Sequence, residues 1–511
     1  MVQASLETRG VTEVDSDALV VTLFEDAMSP AAQEVDRALD GALTEMRESR
    51  ELTGKFGERV VLRTLGRLPA KRVLLLGLGK RHQLDTYRLH NAFWFGGTVL
   101  RKQGVHSVTA CVDGTIVAAI GDKNGAAEAA PLDTVHGAVT GLAMGNFRYE
   151  RNKTDRQPER GIEQITLHGL NGSGDSQRVQ EALREAVVLA DACNTVRDWV
   201  NAPSNTLTPT KLAAAARTLY EGTGLEVEVL EKADLEREGA GALLGVARGS
   251  EEPPVMIAVR WDGGRPDGPR LALVGKGITF DTGGIDIKPS ANMELMKFDM
   301  GGGAAVLGAM WAISQLKPNA NVIGVVPATE NMPGGRAYKP GDVLTSKMSG
   351  RTIEVINTDA EGRIILSDGL AYARRLGATH LVDVATLTGA VVVALGHVNA
   401  GLFSNDDDLT RLVLQAAQRA GDRLAPLPMH PEYDVCLTSD VADVKNLGGR
   451  QGGSISAAVF LREFTGGLPW VHLDIAGTVW NDQTDQTQIP KGPSGTPVRT
   501  FVHLAFEFAR L

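Results

Sequence analysis

Asn357-Thr358-Asp359-Ala360-Glu361-Gly362-Arg363 decides how the rest of the chain is read. The β-branched run before it, Thr352 to Ile356, predicts a strand, and Ile364 to Ala373 after it predicts a helix. A strand-to-helix turn in an open α/β sheet lies where ligands collect, outside the carboxyl ends of the strands. Extended residues two apart project the same way, so Asp359 and Glu361 aim two carboxylates at one point, with Arg363 close behind. Facing carboxylates repel unless something cationic lies between them. Alone, the pair reads more simply as acids at a helix N-terminus, favoured by the macrodipole. A second set of acids upstream overturns that reading.

Working outward, strands are predicted at Leu225–Leu230, Pro254–Arg260, Leu271–Gly275, Asn321–Pro327, His380–Val384 and Trp470–Ile475. Their alternation with helical stretches points to a mainly parallel sheet covered on both faces. Nearer the N-terminus, strand-like runs at Ala18–Phe24, Val73–Gly77, Val108–Val112 and Ile165–Leu170, with a helix over Tyr87–Lys102, predict a separate domain. The expected class is therefore α/β: an N-terminal α/β domain followed by a larger α/β catalytic domain with a mainly parallel central sheet. The expected divisions are 1–160 for the first domain, 161–190 for a linker and the start of a connecting helix (Gln177 to Val200), and 191–511 for the catalytic domain. Arg151 to Gly161, polar and proline-bearing, is the best linker candidate. Gly77-Leu78-Gly79-Lys80 lacks both the third glycine of a dinucleotide fingerprint and the Ser or Thr of a P-loop, and reads as a strand-exit turn.

With 511 residues, 43% apolar content and a formal net charge of −10, the chain argues against general binding to nucleic acid or anionic membranes. Cys111, Cys193 and Cys436 show no metal or redox spacing and fit a reducing compartment. The N-terminus has neither a basic n-region nor an apolar h-region. The longest apolar run, Ala390 to Leu395, is too short to span a bilayer and reads as a core segment. A cytoplasmic location is expected.

The chemistry gathers at three element ends. The Leu271–Gly275 strand exits through Lys276 to Gly284, where glycines at 275, 277, 283 and 284 place Lys276 and Asp281 at a strand mouth. A loop from Met296 to Gly303 carries Asp299 ahead of a helix marked by Val306, Met310 and Ile313. Asp281, Asp299, Asp359 and Glu361 supply four negative charges, which two divalent cations neutralise. Ions about 3.5 to 4 Å apart form the usual hydrolytic pair that activates water and polarises a carbonyl or phosphoryl oxygen. No His-Glu-x-x-His signature is present, so the donors are oxygens, with a lysine nitrogen as the candidate exception. A ligating lysine must be neutral, far below its ordinary pKa of about 10.4, which contact with a dication achieves.

Val274 to Gly284, Met296 to Gly302 and above all Asn357 to Arg363 resemble the leucyl aminopeptidase family of two-metal exopeptidases. The likeness continues through Gly341-Asp342-Val343, Ala385 to Ala390 and Trp470 to Gly477, spanning about residues 190 to 490. The resemblance implies an enzyme that hydrolyses the N-terminal bond of peptides with a free N-terminus, preferring leucine or similar apolar residues. It implies two divalent ions per subunit (Zn²⁺ or Mn²⁺, with Mg²⁺ also admitted) held by Lys276, Asp281, Asp299, Asp359 and Glu361. Lys288 and Arg363 would be the catalytic pair, with bicarbonate at Arg363 as general base. Met296, Thr386, Leu387 and Gly389 would meet the substrate, and the assembly would be a homohexamer. Two departures stand out. Asp286 occupies a position where a small hydroxyl residue is expected, and its carboxylate would either hold Lys288 protonated and blunt its electrophilic effect or face solvent; Gly303 stands where alanine is usual. The alternatives are a two-metal phosphoesterase, and an architectural DNA-binding protein using basic residues such as Arg67, Lys71, Arg72, Lys80 and Arg81. Gly448 to Gly453 reads as a mobile loop near the substrate entrance or as a plain connector.

Overall fold

A computed structural model describes residues 2–124, 128–155, 161–170, 176–482 and 489–510. The first unit is built on a six-stranded sheet of β1 (Gln3–Glu7), β2 (Ala18–Leu23), β3 (Arg59–Arg63), β4 (Arg72–Gly77), β5 (Ser107–Cys111) and β6 (Gln164–His168). Their order is β1-β6-β5-β2-β4-β3, with every neighbouring pair parallel except β3 with β4. All six residues of β2 are buried, as expected of a parallel strand covered on both faces. Helices α1 (Pro30–Ala38), α2 (Ala42–Glu48), α3 (Thr86–Lys102), α4 (Gly114–Asn124) and α5 (Ala130–Gly145) complete the unit, together with most of α6 (Ser176–Asn201). Glycines let α3 and α5 touch: a Cβ at Gly97 would meet the Leu142 carbonyl oxygen at 2.4 Å, and one at Gly145 the Trp94 oxygen at 2.4 Å.

The first unit reaches Asn194 and takes in Gln418–Asp422, so the division falls inside α6. Because β6 pairs with both β1 and β5, the first unit extends past the expected limit at residue 160. The linker candidate Arg151 to Gly161 lies partly outside the described residues. Among the basic residues of this unit, Arg67 pairs with Asp40 at 2.9 Å and Lys71 with Asp17 at 2.6 Å.

The second unit carries α7 (Pro209–Leu219), β7 (Glu226–Leu230), α8 (Lys232–Glu238), α9 (Gly241–Ala247), β8 (Val255–Asp262), β9 (Arg270–Gly275), β10 (Gly277–Asp281), α10 (Gly301–Leu316) and β11 (Asn321–Asn331). It continues through β12 (Val343–Ser346), β13 (Arg351–Glu354), α11 (Glu361–Arg375), β14 (His380–Ala385), α12 (Gly389–Leu395), β15 (Ala400–Ser404), α13 (Asp407–Ala420), β16 (Leu424–Pro426), β17 (Val444–Lys445), α14 (Gly453–Arg462) and β18 (Trp470–Asp474). The main sheet runs β16-β15-β18-β14-β9-β11-β8-β7, with β10 pairing beside β11. Its centre is parallel, and the antiparallel pairs are β15 with β18, β11 with β8 and β7 with β8. Among the described residues no helix is long and apolar enough to cross a membrane.

Three local expectations are corrected. The strand before the seven-residue stretch, β13, belongs to a separate three-stranded sheet, β12-β13-β17. Ile353 and Val355 are buried while Thr352 and Glu354 are only partly so, the pattern of a strand covered on one face. The apolar run at Ala390 to Leu395 is not a core segment. It forms most of α12, where Val391 is buried but Val393 is 90% exposed. The loop at Met296 is a 3-10 helix, Met293–Met300, that leads directly into α10.

Candidate active site

Asp281 closes β10, Asp299 rides the 3-10 helix, and Glu361 opens α11. One oxygen of each lies within 4.8 Å of the others, and all three residues are buried. Lys276, leaving β9, places Nζ 2.8 Å from Asp299 Oδ2 and 2.7 Å from Glu361 Oε1, and donates to the Thr386 carbonyl at 3.1 Å. Lys288 Nζ lies 2.8 Å from Asp281 Oδ2 and 2.5 Å from Asp359 Oδ1. Asp359 stands outside the triplet, its side chain 35% exposed, and joins it through Lys288. The two acids of the motif thus face two different lysines.

Burial alone would push the Lys276 ammonium down, but Asp299, Glu361 and Asp281 outweigh it and hold it above its ordinary value. Lys288 is raised in the same way, burial being overcome by Asp281, Glu361 and Asp359. Burial raises Asp299 well above the usual carboxylate range, and raises Asp281 with help from the charge of Glu361. Burial also raises Glu361, yet Lys276 and Lys288 carry it below its ordinary value. With all four carboxyl groups ionised, as a bound cation would require, the two ammonium groups leave negative charge uncompensated.

Arg363 is buried in the first turn of α11, with Nη1 donating to the Asn446 carbonyl at 3.0 Å. Its Nε has no hydrogen-bond partner among the described residues. Burial lowers this guanidinium to about 10, against the opposing pull of Glu361 and Asp474.

Residues absent from the sequence reading hold this arrangement. The Thr358 carbonyl accepts from Tyr338 Oη at 2.7 Å and Asn331 Nδ2 at 3.0 Å, and Asn331 Nδ2 also reaches Asp281 Oδ1 at 2.8 Å. Asp286, whose effect on Lys288 was open from sequence, instead accepts from the Thr358 amide at 2.7 Å and its hydroxyl at 3.1 Å. It clamps one ligand loop to the other. Asn446 accepts from the Ile356 amide at 2.7 Å and donates to the Asn357 carbonyl at 2.7 Å. Thr386 Oγ1 donates to Asp299 Oδ1 at 2.7 Å, while the Leu387 amide donates to Asp474 Oδ1 at 3.1 Å. Met296 shares the 3-10 helix of Asp299, and exposed Gly389 opens α12; among the described residues no hydrogen bond or ion pair ties either to the carboxylates. Gly448 to Gly453 leads into α14, which Gly452 precedes with φ of 60°.

Gly362 and Gly303 have steric reasons. A Cβ at Gly362 would lie 2.5 Å from Lys276 Cε and 2.7 Å from Nζ, atoms already pinned between Asp299 and Glu361. Gly362→Ala is expected to displace the lysine, destabilise the unit by about 1–3 kcal/mol and weaken divalent-metal binding, as read by thermal melts and metal titration. Unchanged affinity would contradict this placement of Lys276. At Gly303, whose amide donates to the Lys276 carbonyl at 2.7 Å, a Cβ would meet Val326 Cγ1 at 2.6 Å.

The site suits divalent cations. Glu361 Oε2 is buried without a hydrogen-bond partner among the described residues, and Asp299 Oδ2 has only its ion pair with Lys276. Orphaned anionic oxygens are costly unless a cation meets them. Burial, then Asp281 and Glu361, raise Asp359 to about 6 against the pull of Lys288. Because this pKa is raised, its stabilising contribution to the metal-free fold is present below the ordinary value of 3.8 and lost as pH rises through about 6. A cation favours the opposite, ionised form. Divalent-metal affinity is therefore expected to weaken as pH falls through 6, in addition to the dependence set by the proton that a ligating Lys276 must release. Calorimetric titrations at pH 5 and 7.5 with equal affinities would contradict this.

Fold and site together define a two-unit α/β protein whose second unit presents a buried, cation-seeking carboxylate centre. The family model for the cytosol aminopeptidase catalytic domain matches residues 194–502, and the N-terminal domain model of the same family matches 20–156. A probable cytosol aminopeptidase of Solibacter usitatus (strain Ellin6076) is 45% identical over 507 residues, covering 99% of each chain. Another, from Alkaliphilus oremlandii (strain OhILAs), is 44% identical over 499 residues and 97% of each chain. Among solved structures, a mutant tomato leucine aminopeptidase is similar at TM-score 0.86 and 32% identity, covering 99% of this chain and 97% of that one. The bottromycin maturation enzyme BotP in complex with Mn is similar at TM-score 0.80 and 32% identity, covering 97% of this chain and all of that one. The chain belongs to the cytosol aminopeptidase family. It is a metal-dependent aminopeptidase.

Proposed function

We propose that the protein releases leucine and similar apolar residues from peptides with a free N-terminus, using two divalent ions, Zn²⁺ or Mn²⁺. The observation that carries this is the buried Asp281, Asp299 and Glu361 triplet with its orphaned Glu361 oxygen, flanked by Lys276 and Lys288. Lys276, Asp281, Asp299, Asp359 and Glu361 would hold the ions; Lys276 must shed a proton to do so. Bound there, the ions supply an acidified water and a polarised scissile carbonyl. Lys288 turns its ammonium to the oxyanion that develops on that carbonyl. Arg363, with its Nε unpartnered among the described residues, would hold a bicarbonate, which would supply a general base. Asp299, steadied by Thr386, receives the substrate α-amine, which makes a free N-terminus obligatory. The Met296, Thr386 and Gly389 region receives the first side chain, and the backbone around Leu387 and Gly389 orients the scissile amide. The likeness to a tomato leucine aminopeptidase and to a Mn-bound enzyme supports the leucine preference and Mn²⁺ for this chain. A cytoplasmic homohexamer is the assembly proposed.

Leucine p-nitroanilide is expected to be cleaved, with its N-acetylated form cut at least about a hundredfold more slowly, because acetylation removes an ionic contact. p-Nitrophenyl phosphate should be untouched. Equal cleavage of free and acetylated anilide would overturn the exopeptidase reading, and phosphatase activity alone would restore the phosphoesterase.

A further inference from the structure

Asp474 lies at the carboxyl end of β18, flanked in the sheet by Ala385 of β14 and Gly401 of β15, and is fully buried. Its Oδ1 accepts from the amides of Leu387 at 3.1 Å, Thr388 at 3.4 Å and Ala476 at 3.2 Å, and its Oδ2 accepts from Thr388 Oγ1 at 2.6 Å. No lysine or arginine forms an ion pair with it among the described residues, so peptide N–H groups and one hydroxyl carry its solvation. Burial raises its pKa, against the charge of His472 and these hydrogen bonds.

The consequence lies in the direction of two carbonyls. In a trans peptide the N–H and the preceding C=O point opposite ways. The Leu387 and Thr388 N–H groups both aim at Asp474 Oδ1, so the Thr386 and Leu387 carbonyls aim away from it. Thr386 C=O meets Lys276 Nζ at 3.1 Å. The Leu387 carbonyl is turned away from Asp474 in the same manner.

We propose that Asp474 is a positioning residue that turns the Leu387 carbonyl to accept the N–H of the scissile amide, so that it favours amide over ester substrates. This rests on the aminopeptidase reading and deepens it. An ester has no such N–H and loses nothing when the carbonyl is misdirected, whereas an amide loses a hydrogen bond and its alignment. A role in holding the fold or the metals would affect both alike.

The test compares kcat/KM for leucinamide and leucine methyl ester in the metal-loaded full-length protein, its Asp474→Asn variant and its Asp474→Ala variant. Asparagine is isosteric and keeps a weaker, neutral acceptor, so its amide-to-ester ratio should fall about 3- to 10-fold. Alanine removes the acceptor and should lower the ratio at least about 30-fold, with metal content unchanged in both. Equal losses on the two substrates in Asp474→Asn, or no loss on either, would overturn the proposal even if the alanine variant does not fold. A parent inactive on both substrates would overturn the functional reading, and the proposal with it.

Discussion

Glu361→Gln is expected to abolish divalent-metal binding at the triplet and to lower kcat/KM by at least about ten-thousandfold, about 5.5 kcal/mol of transition-state stabilisation. Glu361 pairs with Lys276 through Oε1, its Oε2 is orphaned among the described residues, and its charge raises Asp281 and Asp359. Glutamine preserves volume and an acceptor for Lys276 but cannot supply an anionic ligand. The metal-free fold should change little, because relief of repulsion with Asp281 and Asp299 offsets the weaker contact with Lys276. Metal analysis, kinetics and a melting curve of chelator-treated protein check the three parts. A variant that still binds two ions would remove Glu361 from the ligand set.

Lys288→Ala is expected to reduce kcat about 10²–10³-fold with KM changed only a few-fold, the loss typical of removing one oxyanion donor. Lys288 is part-exposed where Lys276 is buried, so it can turn from Asp281 and Asp359 toward a substrate once cations neutralise those acids. Removing it also removes their counter-ion, so metal affinity should hold or tighten. Lys288→Arg keeps the charge but not the compact ammonium and should fall between. If kcat survives in Lys288→Ala while metal affinity falls, Lys288 acts as structural counter-ion only.

The residues that bear charge in the site were legible because their chemistry is written in residue type: acids, two lysines and an arginine at glycine-rich element ends. The residues that aim them were not. Tyr338, Asn331 and Asn446 are ordinary polar residues, whose partners at Thr358 and Asn357 lie 20 to 89 positions away in the chain. Asp474 meets Leu387 and Thr388 across 87 and 86 positions, a neighbourhood set by β18 lying beside β14. The parallel strands were readable as continuous apolar runs, and α10 and α11 by their period. Side-sheet membership of β13 hinged on the alternation of Ile353 with Thr352 and Glu354, a signal compatible with either placement until its partners were known. Ala390 to Leu395 misled because an apolar run tells nothing of what covers it: α12 shows Val393 to solvent. Asp286 shows the limit most plainly: sequence left it open between Lys288 and solvent, and its carboxylate goes instead to Thr358, 72 positions away.

The most direct test of the central claim is a stepwise titration of chelator-stripped protein with Mn²⁺ or Zn²⁺, following leucine p-nitroanilide hydrolysis and bound metal together. Activity absent without metal and restored as two equivalents bind per chain is the predicted result. Full activity in the stripped protein, or two bound ions with no hydrolysis of any free-amine substrate, would contradict it.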